Sequence, residues 1–193
     1  MNGETSAIIQ LRITHCPPLT IHNSLPKMLM KKPNPIPPGP GQESVWDYPR
    51  PPRVEDVPER VRVVFNDEVI ADSTRAKRVL ETASPPTYYI PPGDVRQAFL
   101  LPARGHTWCE WKGEASYFDV VVGEGRVARA AWTYVRPRPG YVAIAGYVSF
   151  YAGILDCYLG EEKVQPQAGN FYGGWVTRRI VGPFKGDPGT SGW

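Results

Sequence analysis

The residues with the clearest potential for chemistry lie between His106 and Tyr134, in the segment HTWCEWKGEASYFDVVVGEGRVARAAWTY. Its first part combines the thiol of Cys109, the amine of Lys112 and several tryptophan rings. If this part is an extended strand, alternation separates its side chains into two sets. The first set is Trp108, Glu110 and Lys112, and the second is Thr107, Cys109 and Trp111. Each side then mixes a large ring with a polar or reactive group, as binding-site linings often do.

Cys109 is a candidate nucleophile, since a thiol can form a covalent intermediate when a neighbouring group activates it. Lys112 and His106 are the nearest candidates in sequence, but alternation directs both to the opposite side of the strand. The alternative interpretation is a buried, inert thiol.

Two further strands must position these groups. Apolar and polar residues alternate from Ala115 to Val122, and Gly123-Glu124-Gly125 provides a hairpin turn. The return strand runs from Arg126 to about Val135, because Pro137 ends ladder pairing.

Opposite charges on the two strands of this hairpin predict how their residues pair. Pairing Asp119 with Arg129 stabilises the ladder by roughly 0.2–1 kcal/mol. In that register Phe118, Val120 and Trp132 face the core, whereas Tyr117 and Asp119 face outwards. A bulge near Gly113 would exchange the two faces.

The remaining pattern predicts more strands. Residues 60–65 and 68–72 form a hairpin around Asn66-Asp67, and residues 154–165 form another. The predicted fold class is mainly β: a single small antiparallel domain, barrel-like or built on a strongly bent sheet, with one or two short helical turns.

Composition shifts divide the chain into four segments. Residues 1–29 are expected to be disordered or an upstream extension, and residues 30–58 form a proline-rich arm. Residues 59–165 form the β domain, and the aromatic and glycine-rich residues 166–193 form a tail that wraps it.

Composition also excludes several function classes. The chain has 193 residues, 41% of them hydrophobic, and a net charge of +3. No run of Lys or Arg exceeds two residues and no long apolar window occurs, so neither a nucleic-acid partner nor a membrane span is predicted. Three scattered cysteines without CxxC spacing predict neither a metal site nor a disulfide framework. We expect a soluble, cytoplasmic protein without a cofactor, and its oligomeric state stays open.

Several sequence motifs, spread along the chain, resemble those of one known family. They are RVRVVFNDEVIADSTRAKRVLE, PPTYYIPPGDV, WCEWKGEASYFDV, AAWTYVRPRPGY and the ending FYGGWVT…GPFKGDPGT. Together they are similar to the domain of unknown function 427 family, sometimes labelled nucleotidyltransferase-like, in a long form with a proline-rich arm and an aromatic tail. The resemblance covers roughly residues 30–193 and implies a compact, mainly β, barrel-like domain.

The resemblance also implies a set of recurrent positions, which map onto Glu81, Tyr89, Cys109, Lys112, Tyr117, Trp132 and Tyr134. Nucleotidyl transfer is disfavoured, because the chain has no GxxxxGK[ST] cradle and its carboxylates are dispersed.

We expect Lys112, Glu81, Tyr89 and Tyr117 to form an acid–base or electrostatic site, with Cys109 as a further catalytic candidate. A ring-shaped ligand would rest on Trp108, Trp132 and Tyr134. In the alternative, Lys112 forms only an ion pair with Glu81 or Glu110.

Two classes of function follow, and the sequence does not establish whether the protein is an enzyme. The first is a small-molecule-binding protein or non-redox enzyme with a polar aromatic pocket and an unidentified small molecule as partner. The second is a protein-interaction module that uses the proline-rich arm and the aromatic tail.

Overall fold

The computed structural model describes residues 33–169 and 171–190. This part of the chain is mainly β, as predicted, and contains fifteen strands and four 3-10 segments. The strands are β1 (Glu43–Ser44), β2 (Arg53–Asp56), β3 (Val61–Phe65), β4 (Glu68–Ser73), β5 (Lys77–Glu81), β6 (Ser84–Tyr89), β7 (Leu100–Cys109), β8 (Gly113–Val122), β9 (Gly125–Thr133), β10 (Val148–Phe150), β11 (Asp156–Leu159), β12 (Glu162–Lys163), β13 (Gln165–Pro166), β14 (Trp175–Val176) and β15 (Ile180–Val181). The 3-10 segments are Val45–Asp47, Pro92–Asp94, Gln97–Phe99 and Pro139–Ile144. The disorder or extension predicted for residues 1–29 lies outside the described residues.

The described strands form five sheets, and none of these closes into a barrel. Two sheets have four strands, in the orders β10-β9-β8-β7 and β12-β11-β3-β4, and a third has the order β2-β5-β6. Two small pairs, β1-β15 and β13-β14, complete the set. All pairs are antiparallel except β1-β15. A bridge between Ile90 and Val148 links the ends of β6 and β10 and brings their sheets together.

The hairpin predicted around Asn66-Asp67 is confirmed by β3 and β4. Both turn residues have positive φ, 49° for Asn66 and 60° for Asp67. Asn and Asp tolerate this conformation, which tight hairpin turns require. Local turn chemistry therefore determines this part of the fold.

The predicted register of the next hairpin is wrong by one residue throughout, in opposite directions on the two sides of an irregularity. Tyr117 pairs with Trp132, and the register shifts between Phe118 and Val120. Arg129 adopts φ 50° at this irregularity, and its backbone N–H donates to the Asp119 carboxylate over 2.8 Å. A bulge of this kind exchanges faces, so Tyr117 and Asp119, predicted to face outwards, are both buried at 6% exposure.

The strand predicted through Lys112 ends earlier. β7 stops at Cys109, and residues 110–112 form the turn into β8. As a result, Trp108 and Lys112 do not share a side: Trp108 is 70% exposed and Lys112 is 8% exposed. The alternation argument that separated Lys112 from Cys109 does not apply across a turn.

Three clusters of buried apolar residues form the core. The largest lies among β3, β4, β8, β9, β10 and β11. The second, here called the inner aromatic cluster, lies below the candidate site and consists of Val79, Tyr89, Ala115, Tyr117, Trp132, Tyr134, Tyr141 and Ile144. The third joins Val45, Tyr48, Leu80 and Ile180, and so packs arm and tail residues against β5. Within residues 33–169 and 171–190, no helix has the length and apolar character needed to span a bilayer.

Candidate functional site

A cavity of about 400 Å³ lies above the inner aromatic cluster. This volume is within the range of small-molecule pockets, roughly 300–1,000 Å³. Its walls come from β5, β6, the end of β7, the β7–β8 turn, β8, the end of β9 and the tail. All eight site residues predicted from the sequence line it: Glu81, Tyr89, Trp108, Cys109, Lys112, Tyr117, Trp132 and Tyr134.

Lys112 is the most unusual of these residues. It is 8% exposed, and its Nζ lies 5.8 Å from the centroid of the Tyr134 ring, a cation–π contact. Among the described residues its ammonium has neither an ion pair nor a hydrogen bond, so the alternative of a pair with Glu81 or Glu110 is wrong. Buried ammonium groups are normally paired, and this one instead faces a cavity.

Two phenols of the inner aromatic cluster line the same cavity. Burial raises the pKa of Tyr89 well above its ordinary value, although the side-chain hydrogen bond with Trp132 acts in the opposite direction. Burial likewise raises the pKa of Tyr134, and the neighbouring Tyr89 and Cys109 raise it further. Both hydroxyls are therefore protonated at neutral pH and can donate hydrogen bonds.

Tyr117 lies on the same wall and is held from two sides. Its hydroxyl is 2.8 Å from the Thr107 Oγ1, and the Arg129 guanidinium carbon lies 3.8 Å from its ring centroid. The bulge at Arg129 makes this stacking possible. Tyr117, predicted to face out of the core and also to belong to the site, is thus a buried part of the cavity wall.

The acidic and thiol candidates differ in their surroundings. Glu81 is half-buried, and its Oε1 lies 3.5 Å from the Arg50 Nη2. Cys109 is a free, half-buried thiol whose side chain lies close enough to Tyr134 to perturb its hydroxyl. No group of three or more His, Cys, Asp or Glu side chains in the described ranges is arranged to hold a metal ion.

The three rings proposed as a flat wall are not equivalent. Trp132 is buried and contacts Tyr151, with 4.5 Å between ring centroids. Tyr134 is equally buried, whereas Trp108 is largely exposed at the cavity opening. Trp132 and Tyr134 can form the apolar floor, and Trp108 borders the entrance.

The tail also lines the cavity, with residues that were not among the site residues predicted from the sequence. Gln167, Phe171, Tyr172, Gly173 and Lys185 all line the cavity. A Cβ on Gly173 would lie 2.0 Å from Cη2 of Trp132, so only glycine allows the tail backbone to approach this ring. The high proportion of aromatic residues in the segment FYGGW is the sequence feature that could have indicated this contact.

Comparison with known proteins gives one result. No curated protein matches the chain. A family model described as a domain of unknown function (DUF427) matches residues 53–161, which is more than half of the chain and contains all eight predicted site residues. The tail residues of the cavity lie beyond the matched region. The match confirms the resemblance seen in the sequence: the chain belongs to the DUF427 family.

Proposed function

We propose that the cavity binds a small organic molecule, and that the protein is a small-molecule-binding protein or a non-redox enzyme. The single observation that carries the proposal is the Lys112 ammonium, 8% exposed and without a described counterion, on the wall of an aromatic cavity. A buried charge is costly unless it is paired. A ligand oxygen would provide the missing partner.

The surrounding groups indicate what such a ligand contains. Lys112 can donate to an oxyanion or polarise a carbonyl. Tyr89 and Tyr134 hold their protons at neutral pH and can donate further hydrogen bonds. Trp132 offers an apolar surface for a planar group. A carboxylate or carbonyl on a flat, unsaturated body fits all of these groups.

The test is a metabolite screen by thermal shift, together with mass spectrometry of molecules that co-purify with the protein. A ligand at 100 times its Kd stabilises a protein by about 2.7 kcal/mol, which raises Tm by several degrees. The wild type and Lys163→Met should respond to the ligand, whereas Lys112→Met should not. Lys163 is a suitable control because it is paired with Asp156 at 2.7 Å, outside the cavity. An unchanged shift in Lys112→Met would remove Lys112 from the site.

The second candidate is a protein-interaction module, and one observation favours it. Phe171 of the tail is 63% exposed and lines the same cavity as the exposed Trp108. The described rings of the arm are engaged internally: the Tyr48 hydroxyl donates to Glu43 and the Trp46 Nε1–H donates to the Pro183 carbonyl, each over 2.9 Å. If the protein is an interaction module, Phe171→Ser should weaken binding of a protein partner. Loss of the small-molecule shift in that variant would argue for the first function.

A further inference from the structure

The four lysines of the described residues fall into two classes. Lys77 and Lys163 lie outside the cavity, and each is paired with an aspartate, at 2.5 Å and 2.7 Å respectively. Lys112 and Lys185 both line the cavity, and neither forms an ion pair with any residue that the structure describes. The unpaired lysines are therefore those that face the same empty space.

Lys185 is held in position by its backbone. Its N–H donates to the Ala83 carbonyl over 2.7 Å, and its own carbonyl accepts from Gln167 Nε2 over 2.7 Å. Its Nζ lies 5.3 Å from the centroid of the Tyr172 ring. Because the backbone is anchored on both sides, the amine extends from a defined point of the cavity rim.

Neither of the two carboxylates that line the cavity forms an ion pair with these amines. Glu81 is paired with Arg50 at 3.5 Å, and Glu110 is exposed to solvent. Two ammonium groups without a paired carboxylate on a partly enclosed, ring-lined wall favour a ligand of opposite charge. One amine comes from the β7–β8 turn and the other from the tail, so the two line the cavity from different parts of the chain.

We infer that the ligand is an organic dianion, a dicarboxylate or a phosphomonoester on a flat unsaturated body, and that Lys185 is its second binding residue. This inference rests on the proposed small-molecule function, and it adds the charge of the ligand and a second residue that contacts it. Lysine suits either anion, because it acts as a point charge with three donors. The aromatic floor accounts for the flat body.

Isothermal titration with four probes of similar shape tests the inference: benzoate, isophthalate, phenyl phosphate and the neutral isophthalamide. The titrations are run at about pH 8, where a phosphomonoester carries two charges. At least one dianion should bind the wild type about tenfold or more tightly than benzoate does, as expected for an additional charge-assisted contact. Lys185→Met should lower the affinity of that dianion to that of benzoate, whereas Lys185→Arg and Lys163→Met should retain the preference. The tighter of the two dianions identifies the acid group.

The inference would be overturned if benzoate or isophthalamide bound as tightly as both dianions. It would also be overturned if the preference for a dianion survived in Lys185→Met, or if neither dianion bound. None of these results affects the proposed function, provided that another ligand stabilises the wild type and not Lys112→Met. Circular dichroism of each variant confirms that the fold is retained. Failure of the proposed function has a different signature, namely an unchanged ligand shift in Lys112→Met.

Discussion

The Lys112 Nζ lies 5.8 Å from the centroid of the Tyr134 ring, and this contact connects two distant parts of the chain. Lys112 is in the turn between β7 and β8, and Tyr134 follows β9, so the order β7-β8-β9 brings them together. A cation–π contact contributes about 0.5–2 kcal/mol. Removing an ammonium group from water costs several kcal/mol. The contact alone does not offset that cost, which is the expected pattern for a residue retained for function.

Lys112→Met should therefore leave the ligand-free protein as stable as the wild type, or more stable by up to about 2 kcal/mol, because a buried unpaired charge is replaced by an apolar chain of similar length. Urea unfolding measures this change. Lys163→Met, which breaks an exposed ion pair, should change the free energy of unfolding by less than about 1 kcal/mol. A large destabilisation in Lys112→Met that Lys112→Arg does not share would show that the ammonium has a structural role.

Gly173→Ala should destabilise the contact between the tail and Trp132. The added methyl carbon would lie 2.0 Å from the ring, so either the tail backbone or Trp132 must move. Overpacking of this kind typically costs about 1–3 kcal/mol. Gly140→Ala is the matched control, since no atom lies within 4 Å of its Cβ position. Urea unfolding of both variants, monitored by tryptophan fluorescence, compares them, and equal stabilities would contradict the close approach.

Local sequence signals predicted the parts of the fold that depend on neighbouring residues. Asn66 and Asp67 determine the β3–β4 turn through their tolerance of positive φ. The β8–β9 hairpin was also predicted, including its turn at Gly123. In both cases the information lies within a few residues of the turn.

The register of that hairpin depended on interactions that the pattern does not contain. Asp119 binds the Arg126 guanidinium and the Arg129 backbone N–H rather than the Arg129 side chain. This arrangement requires a positive φ at Arg129, a backbone conformation that is uncommon for residues other than glycine. The eight site residues lie in the sequence motifs that resemble the family, and they could be predicted from those motifs. Lys185 and Gln167, by contrast, reach the cavity only through tertiary contacts of the tail. No period or motif indicates such a contact.

Asp119 should account for part of the loss of stability in acid. Its backbone hydrogen bond from Arg129 and the Arg126 guanidinium hold its pKa below the ordinary value. Because the folded-state pKa is the lower one, the stabilisation is complete above the unfolded-state value of about 3.9 and is lost as the pH falls through the folded-state value.

Asp119→Asn should thus be less stable than the wild type at neutral pH and should lose less stability between about pH 5 and pH 3. Urea unfolding across that range gives the slope. Asp47→Asn is the control, as Asp47 is exposed and makes no ion pair within the described residues. Parallel pH profiles for the wild type and Asp119→Asn would contradict the assignment.

The two described cysteines should react at very different rates in the native protein. Cys157 is 1% exposed, and burial raises the pKa of its thiol far above the ordinary range, so it holds little thiolate. Cys109 is half-buried on the cavity wall and accessible from the opening. Iodoacetamide followed by peptide mass spectrometry should label Cys109 in the native state and Cys157 only after unfolding in urea. A ligand that raises Tm should also slow labelling of Cys109, because it occupies the space through which the reagent enters. If Cys109 is labelled equally fast with and without such a ligand, the ligand binds elsewhere. Cys109 would then not belong to the site that Lys112 and the phenols form.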